Sequence, residues 1–216
     1  KKMKKLFALL STLFILTTAS VKAEMQFGFG LMAGQISADG TETEGTAADS
    51  SDRSKSFTEF FAGADIFIEN SFGNGMTVGL SYVPVDFEIG SGERSDSSGG
   101  ADIASEADTG TRTAKADVSD LLTLYTNIPV GGDGWYGLLG GHMATIKTSE
   151  TLPNSSYGNE DIFGLQVGLG RRVDDVFKVE LYYSDFEDIE ISSTGGGSNS
   201  VSADADALTF RVSFGF

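Results

Sequence analysis

Apolar and polar residues alternate with period two along much of this chain, in segments of about ten residues. The last segment is the clearest. In Leu208-Thr-Phe210-Arg-Val212-Ser-Phe214-Gly-Phe216 every even position is apolar and every odd one is small or polar. Successive side chains of a strand point to opposite faces. Leu208, Phe210, Val212, Phe214 and Phe216 therefore share one face, and Thr209, Arg211, Ser213 and Gly215 the other. Seven earlier segments read the same way. Met25, Phe27, Phe29 and Leu31 alternate with Gln26, Gly28 and Gly30. Phe60, Ala62, Ala64, Ile66 and Ile68 alternate with Phe61, Gly63, Asp65, Phe67 and Glu69. Met76, Val78, Leu80 and Tyr82 form a third face, with a phase shift expected near Pro84 toward Val85, Phe87 and Ile89. Leu122, Leu124, Thr126 and Ile128 form a fourth. In the segment 135–146 the facing stays open, because Trp135 and Leu139 are apolar as well as Tyr136 and Leu138. Phe163, Leu165, Val167 and Leu169 follow, then Phe177, Val179, Leu181 and Tyr183.

The connections sort themselves by length. Asn70–Gly75, Pro129–Gly134 and Asp174-Asp175 are short, with the Gly, Asn and Asp of tight turns. Roughly Ser37 to Ser56, Gly90 to Ala114, Lys147 to Asp161 and Ser192 to Ala203 are long and polar. Short and long alternate strictly. This predicts an all-β fold: an eight-stranded antiparallel up-and-down transmembrane β-barrel with short periplasmic turns and four long extracellular loops. A lipocalin-like barrel matches the strand count, but its apolar face points inward. No run after Ala23 reaches the 18 or so apolar residues of a transmembrane helix.

Residues 1–23 read as a cleaved signal peptide, leaving 24–216 as the barrel domain. Lys1, Lys2, Lys4 and Lys5 precede the apolar run Leu6–Leu16, and Val21-Lys22-Ala23 supplies a small-x-small cleavage site. An N-terminal membrane anchor is the competing reading. The formal charge is -16, and removing a segment with five lysines and no acid leaves about -21. Such a charge excludes nucleic acid as a partner. With no cysteine there is no disulfide, thiol chemistry or thiolate metal site.

The final strand resembles the C-terminal strand of bacterial outer-membrane β-barrels, which commonly ends in Phe. The matching residues are Leu208, Phe210, Val212, Phe214 and Phe216. With the signal peptide and the strand count, the chain resembles the small OmpA/OmpX-type barrels of Gram-negative bacteria. The resemblance implies Sec-type export to the periplasm and a place in the outer membrane among lipid and lipopolysaccharide. It also implies periplasmic chaperones and the barrel-assembly machinery as partners, and a monomer.

The face opposite the apolar one carries Gln26, Asp65, Glu69, Gln166, Lys178, Glu180 and Arg211. Eight strands leave an interior just filled by side chains. A polar network of Asp65, Lys178, Glu180, Arg211 and Gln166, with Arg211 and Lys178 facing Asp65 or Glu180, is expected to plug it. The alternative is a merely hydrated interior. Tyr182, Tyr183, Trp135, Tyr136, Phe72 and Tyr125 are expected to include members of the two interfacial aromatic girdles.

No enzymatic site, cofactor or metal is expected. His142 is the sole histidine, and no Ser sits two residues after it, as the outer-membrane deacylase pattern would require. It reads as a strand histidine near the outer rim. The acidic loops (Asp39, Glu42, Glu44, Asp49 and Asp52; Asp96, Asp102, Glu106 and Asp108) lack the EF-hand spacing, and Asp204-Ala-Asp206 is only a fragment of it. The expected role is a structural or surface-interaction scaffold that displays acidic extracellular loops to a ligand the sequence does not name. A narrow cation-preferring pore for small solutes is the alternative. A lipid A-modifying enzyme rests on His142 alone.

Overall fold

The computed structural model describes residues 24–43, 53–96, 110–151, 155–195 and 200–216; residues 1–23, with their expected signal peptide, lie outside the described residues. Its strands are β1 (Glu24–Thr43), β2 (Arg53–Ser71), β3 (Thr77–Val83), β4 (Phe87–Asp96), β5 (Gly110–Pro129), β6 (Trp135–Glu150), β7 (Ser155–Ser156), β8 (Glu160–Arg172), β9 (Phe177–Phe186), β10 (Ile189–Ser192), β11 (Thr194–Gly195) and β12 (Ser200–Gly215). Neighbours pair antiparallel in chain order, and β12 returns to β1 from Gly28↔Gly215 to Thr43↔Ser200. With β3 and β4 counted as one stave and β9 and β10 as another, eight staves close into a ring. β7 and β11 form a separate small ribbon.

The three short turns sit at one end. Gly75 takes φ +82°, and in the next turn Gly131, Asp133 and Gly134 all have φ between 60° and 76°. In the third, the Asp174 carboxylate accepts the N–H groups of Val176 (2.8 Å) and Phe177 (2.7 Å).

From this end upward the outer face is an apolar belt. Met25, Phe27, Phe29 and Leu31 on β1 point out, as do Leu208, Phe210 and Phe216 at the other edge of the closure. On β6 it is Trp135 and Leu139 that face out, while Tyr136 and Leu138 are buried, which settles that strand. Tyr125 and Tyr182 are buried as well. These two and Tyr136 belong to the interior rather than to a girdle.

Above the belt both faces change character together. Along β1 the outward series passes from Leu31 and Ala33 to Gln35, Ser37, Asp39 and Thr41, and the inward series runs through Met32, Ile36 and Ala38. Along β12 Leu208 gives way outside to Asp206 and Asp204, and Arg211 and Thr209 give way inside to Ala207 and Ala205. The strands therefore do not stop where polar residues begin. Most of the described residues expected as long loops are wall: β1 continues to Thr43, β6 to Glu150, and β5 begins at Gly110. Of the acidic loop residues, Glu44, Asp49, Asp52, Asp102, Glu106 and Asp108 lie outside the described residues.

Two bulges keep the inversion in step. Between Ser119 and Leu122 β5 carries one extra residue, with Asp120 at φ +54°, and this turns Val118 inward. β4 carries another between Glu88 and Gly90, beside the buried Ile89. The shift expected near Pro84 does not occur in the facing. Val83 and Ile89 are both buried; it is the lumen that turns apolar. Ile36, Ile89, Val118, Ala144, Ile146, Ile162, Ile189, Ile191, Ala205 and Ala207 pack into one cluster there.

The lower strands predict an asymmetric response. Val212→Arg should cost about 2–4 kcal/mol in urea unfolding from lipid vesicles if Val212 lies near the midplane. Ser213, on the inward face, is fully buried with its hydroxyl unpartnered. Ser213→Ala should be neutral or stabilising and Ser213→Leu damaging, in the same assay. Outside the belt, a hydrogen bond with Asp188, whose charge adds to those of Asp39 and Asp185, holds the Asp204 carboxyl above the usual aspartate range. The folded chain then binds that proton more tightly than the unfolded chain. The resulting penalty is absent below about pH 3.9 and complete above the raised value. Asp204→Asn should raise the unfolding midpoint at pH 7 and leave it unchanged at pH 3.

Candidate functional site

The inward residues of the lower lumen form an ionic plug. Arg211 on β12 donates from Nε to Asp65 Oδ1 (3.0 Å), from Nη2 to Asp65 Oδ2 (2.7 Å) and from Nη1 to Glu180 Oε2 (2.5 Å). The two bonds to Asp65 form the fork that a planar guanidinium presents to a carboxylate. Lys178 ion-pairs with Glu69, not with Asp65 or Glu180. The Tyr125 hydroxyl donates to Glu69 (2.7 Å) and that of Tyr136 to Glu180 (2.8 Å). The Phe67 ring takes both cations, with Lys178 Nζ 4.8 Å and Arg211 Cζ 4.9 Å from its centroid. Gly30 makes room, since a Cβ there would lie 2.1 Å from Asp65 Oδ1.

Sequence parity placed these residues inside but gave Lys178 the wrong partner and left Glu69 out of the network. The stagger of the strands decides which charges meet across the lumen. Gln166 lies higher, over Gly140, where it lines the cavity above the plug.

That cavity measures about 60 Å³ and lies between the plug and the apolar cluster. Met32, Ile36, Val83, Phe87, Ile89 and Val118 give it an apolar wall. His142 stands at its floor. The ring is buried inside the lumen rather than at the rim, with Nδ1 2.7 Å from Thr123 Oγ1 and Nε2 2.9 Å from Ser184 Oγ. Phe186 stacks on it at 5.6 Å. Ser184 lies 42 residues along the chain, so no local motif could have revealed the pair. The second ring nitrogen faces a threonine, whereas a serine–histidine hydrolytic triad orients that nitrogen with a carboxylate.

The wall beside this cavity is not continuous. β2 pairs with β3 only from Ser71↔Thr77 to Ile66↔Tyr82, and above that β4 pairs with β5 alone. Among the described residues no ladder joins β2 above Ile66 to β4. Pro84, which has no N–H to offer a neighbouring strand, follows the last β3 residue, Val83. Phenylalanines fill this seam. Phe61 and Phe87 meet at 5.1 Å, and Phe87 reaches over Gly63, where a Cβ would come within 2.5 Å of its ring. Ala62 pairs with Ala33 of β1, so the lower part of the seam lies at the top of the apolar belt.

No protein-family model matches the chain, and no curated protein does. Solved structures do. The outer membrane protein OprG from Pseudomonas aeruginosa is 11% identical, over 91% of this chain and 99% of its own, with a TM-score of 0.53. The outer membrane protein AlkL, determined in DMPC bilayers, is 11% identical over 93% of each chain, with a TM-score of 0.50. This chain folds as a small outer-membrane β-barrel. The attachment invasion locus protein Ail of Yersinia pestis is also similar, at 14% identity over 89% of this chain and 99% of its own, with a TM-score of 0.43. At such identities the likeness is one of fold.

The barrel's plug generates a test. Arg211→Met leaves Asp65 and Glu180 buried without their cation and should cost about 3–5 kcal/mol in equilibrium unfolding from vesicles. Adding Asp65→Asn and Glu180→Gln to it should recover most of that loss.

Proposed function

We propose that this outer-membrane barrel takes small apolar molecules from outside into its upper chamber and releases them sideways into the membrane. The observation that carries this reading is the chamber's geometry. Its floor is an ion-paired plug, its wall is apolar, and Phe61, Val83 and Phe87, which line it, also border a seam without ladder hydrogen bonds. A solute entering from above meets charge below and a phenylalanine-filled gap at the side. Hydrocarbon lies on the far side of that gap. Crossing the plug would mean separating buried ion pairs, which counts against a cation-preferring pore.

A second reading is the surface-interaction scaffold. It is supported by the outward upper wall, where Asp39, Asp185, Asp188 and Asp204 cluster above the belt. Loops held on a rigid frame are where recognition concentrates. In either reading we propose no catalytic role. We also propose the outer-facing Leu208–Phe216 strand as the segment read by the assembly machinery, after export with periplasmic chaperones.

Uptake of N-phenyl-1-naphthylamine by lipopolysaccharide-bearing cells separates the readings. Cells making the barrel should take up the dye faster than cells without it. Bridging Phe61→Cys to Phe87→Cys with a short dithiol-reactive cross-linker should return uptake to background, while the refolded protein stays silent in a planar bilayer. No uptake through a folded barrel would leave the scaffold. Steady cation-selective steps that fall on Glu180→Gln would establish the pore.

A further inference from the structure

The floor of the chamber specifies more than an apolar ligand, and the specification follows from proton counting. His142 lies between two hydroxyls, Thr123 Oγ1 at 2.7 Å and Ser184 Oγ at 2.9 Å. A neutral imidazole donates from one nitrogen and accepts at the other. In either tautomer, one of the two hydroxyls therefore accepts from the ring and keeps its own O–H proton to donate elsewhere. The other donates to the ring and keeps its lone pairs. The Thr123–His142–Ser184 relay thus ends in a free donor on one side and a free acceptor on the other. All three residues are at least nine-tenths buried, and all three line the cavity. Burying a polar group without a partner costs more than a hydrogen bond gains, so these ends favour a ligand that satisfies them.

The charges around the floor select against an ionic ligand. Glu180 and Arg211 also line the cavity, but Arg211 is committed to Asp65 and Glu180, and Glu180 also accepts from Tyr136. The plug as a whole holds the carboxylates of Asp65, Glu69 and Glu180 against the two cations Lys178 and Arg211. A ligand carboxylate would approach a net negative group with no free cation to meet it. A ligand ammonium would find no free carboxylate among those lining the cavity and would be held in an apolar wall.

We infer that the chamber's ligand is an uncharged amphiphile, an alcohol, aldehyde, ketone or ester, whose oxygen sits on the Thr123–His142–Ser184 relay and whose hydrocarbon tail lies along Met32, Ile36, Ile89 and Val118. This rests on the chamber being a ligand site at all, and it adds the head group. The polar end enters first and the tail points up toward the apolar cluster. The seam at Phe61 and Phe87 lies beside the tail rather than the head.

The lone histidine makes the test clean, because selective histidine labelling of the barrel yields a single imidazole NMR signal. In DMPC nanodiscs, 1-hexanol should move that signal saturably. Hexanoate and hexylammonium should bind at least roughly tenfold more weakly, since neither charged head group finds a free opposite charge to offset its desolvation. Hexane should perturb the methyl groups of Ile36 and Ile89 while leaving the imidazole nearly still. Ser184→Ala and Thr123→Val should each weaken hexanol roughly three- to tenfold, and hexane not at all. Retained heat-modifiable gel mobility reports that each variant has folded. If hexanol and hexane bind alike and neither substitution matters, the head-group assignment falls while the apolar chamber stands. If hexanoate equals hexanol, the assignment is also overturned. If none of the four perturbs either reporter, the chamber itself is not a ligand site, and both readings fall together.

Discussion

Every backbone N–H and C=O that enters hydrocarbon needs a partner within the chain, and the pairing of β1 with β12 is where that demand is finally met. Without it two unpaired edges would face lipid. Closure then dictates the rest. It forces alternation on each stave below the bulges of β4 and β5, so polar residues placed on the inward parity have nowhere to go but a narrow lumen. In that lumen charge must find charge. The plug of Arg211, Asp65, Glu180, Lys178 and Glu69 is the lumen's answer to a constraint set by the lipid outside.

The same logic explains the seam. A ladder can be given up only where something else shields the backbone. Here the break lies above Ile66↔Tyr82, where the belt is ending and the bulky rings of Phe61 and Phe87 stand in for hydrogen bonds. Gly63 is the enabling residue on the β2 side, for any side chain there would collide with Phe87. Shape thus replaces pairing at one place in the wall, and this is the place where the apolar chamber lies against it.

How much of this was legible in the sequence depends on height in the barrel. Below Leu208 and Gln35, large apolar residues alternate with small or charged ones, and the pattern fixes strand and order, and the face of each strand but β6, where Trp135, Tyr136, Leu138 and Leu139 are all apolar. Above them the alternation persists, but Ile36, Ala38 and Gly40 are a weaker apolar face, set against Ser37, Asp39 and Thr41. A polar outer wall then reads as a loop. The inward charges were visible from parity. The Lys178–Glu69 pair was not, because it joins strands on different sides of the ring and depends on their stagger. Nor was the His142–Ser184 contact, which topology alone brings together. The buried tyrosines misled for a related reason: Tyr125 and Tyr136 carry a hydroxyl that a lipid–water boundary would welcome, and the plug uses it instead.

The exchange of polarity at Leu208 and Gln35 also works as a depth gauge. Sinking the barrel by one pair of residues would carry Gln35 and Asp206 toward hydrocarbon, and raising it would lift Phe60 and Leu208 further into water. The apolar stretch of β12 from Leu208 to Phe216, tilted as barrel strands are, spans roughly 20 Å. That is short against an ordinary bilayer core of about 30 Å. Vertical position is therefore set by the strands themselves. In a thick bilayer the barrel would have to draw the lipid down around it, at a cost that grows with each ångström of mismatch.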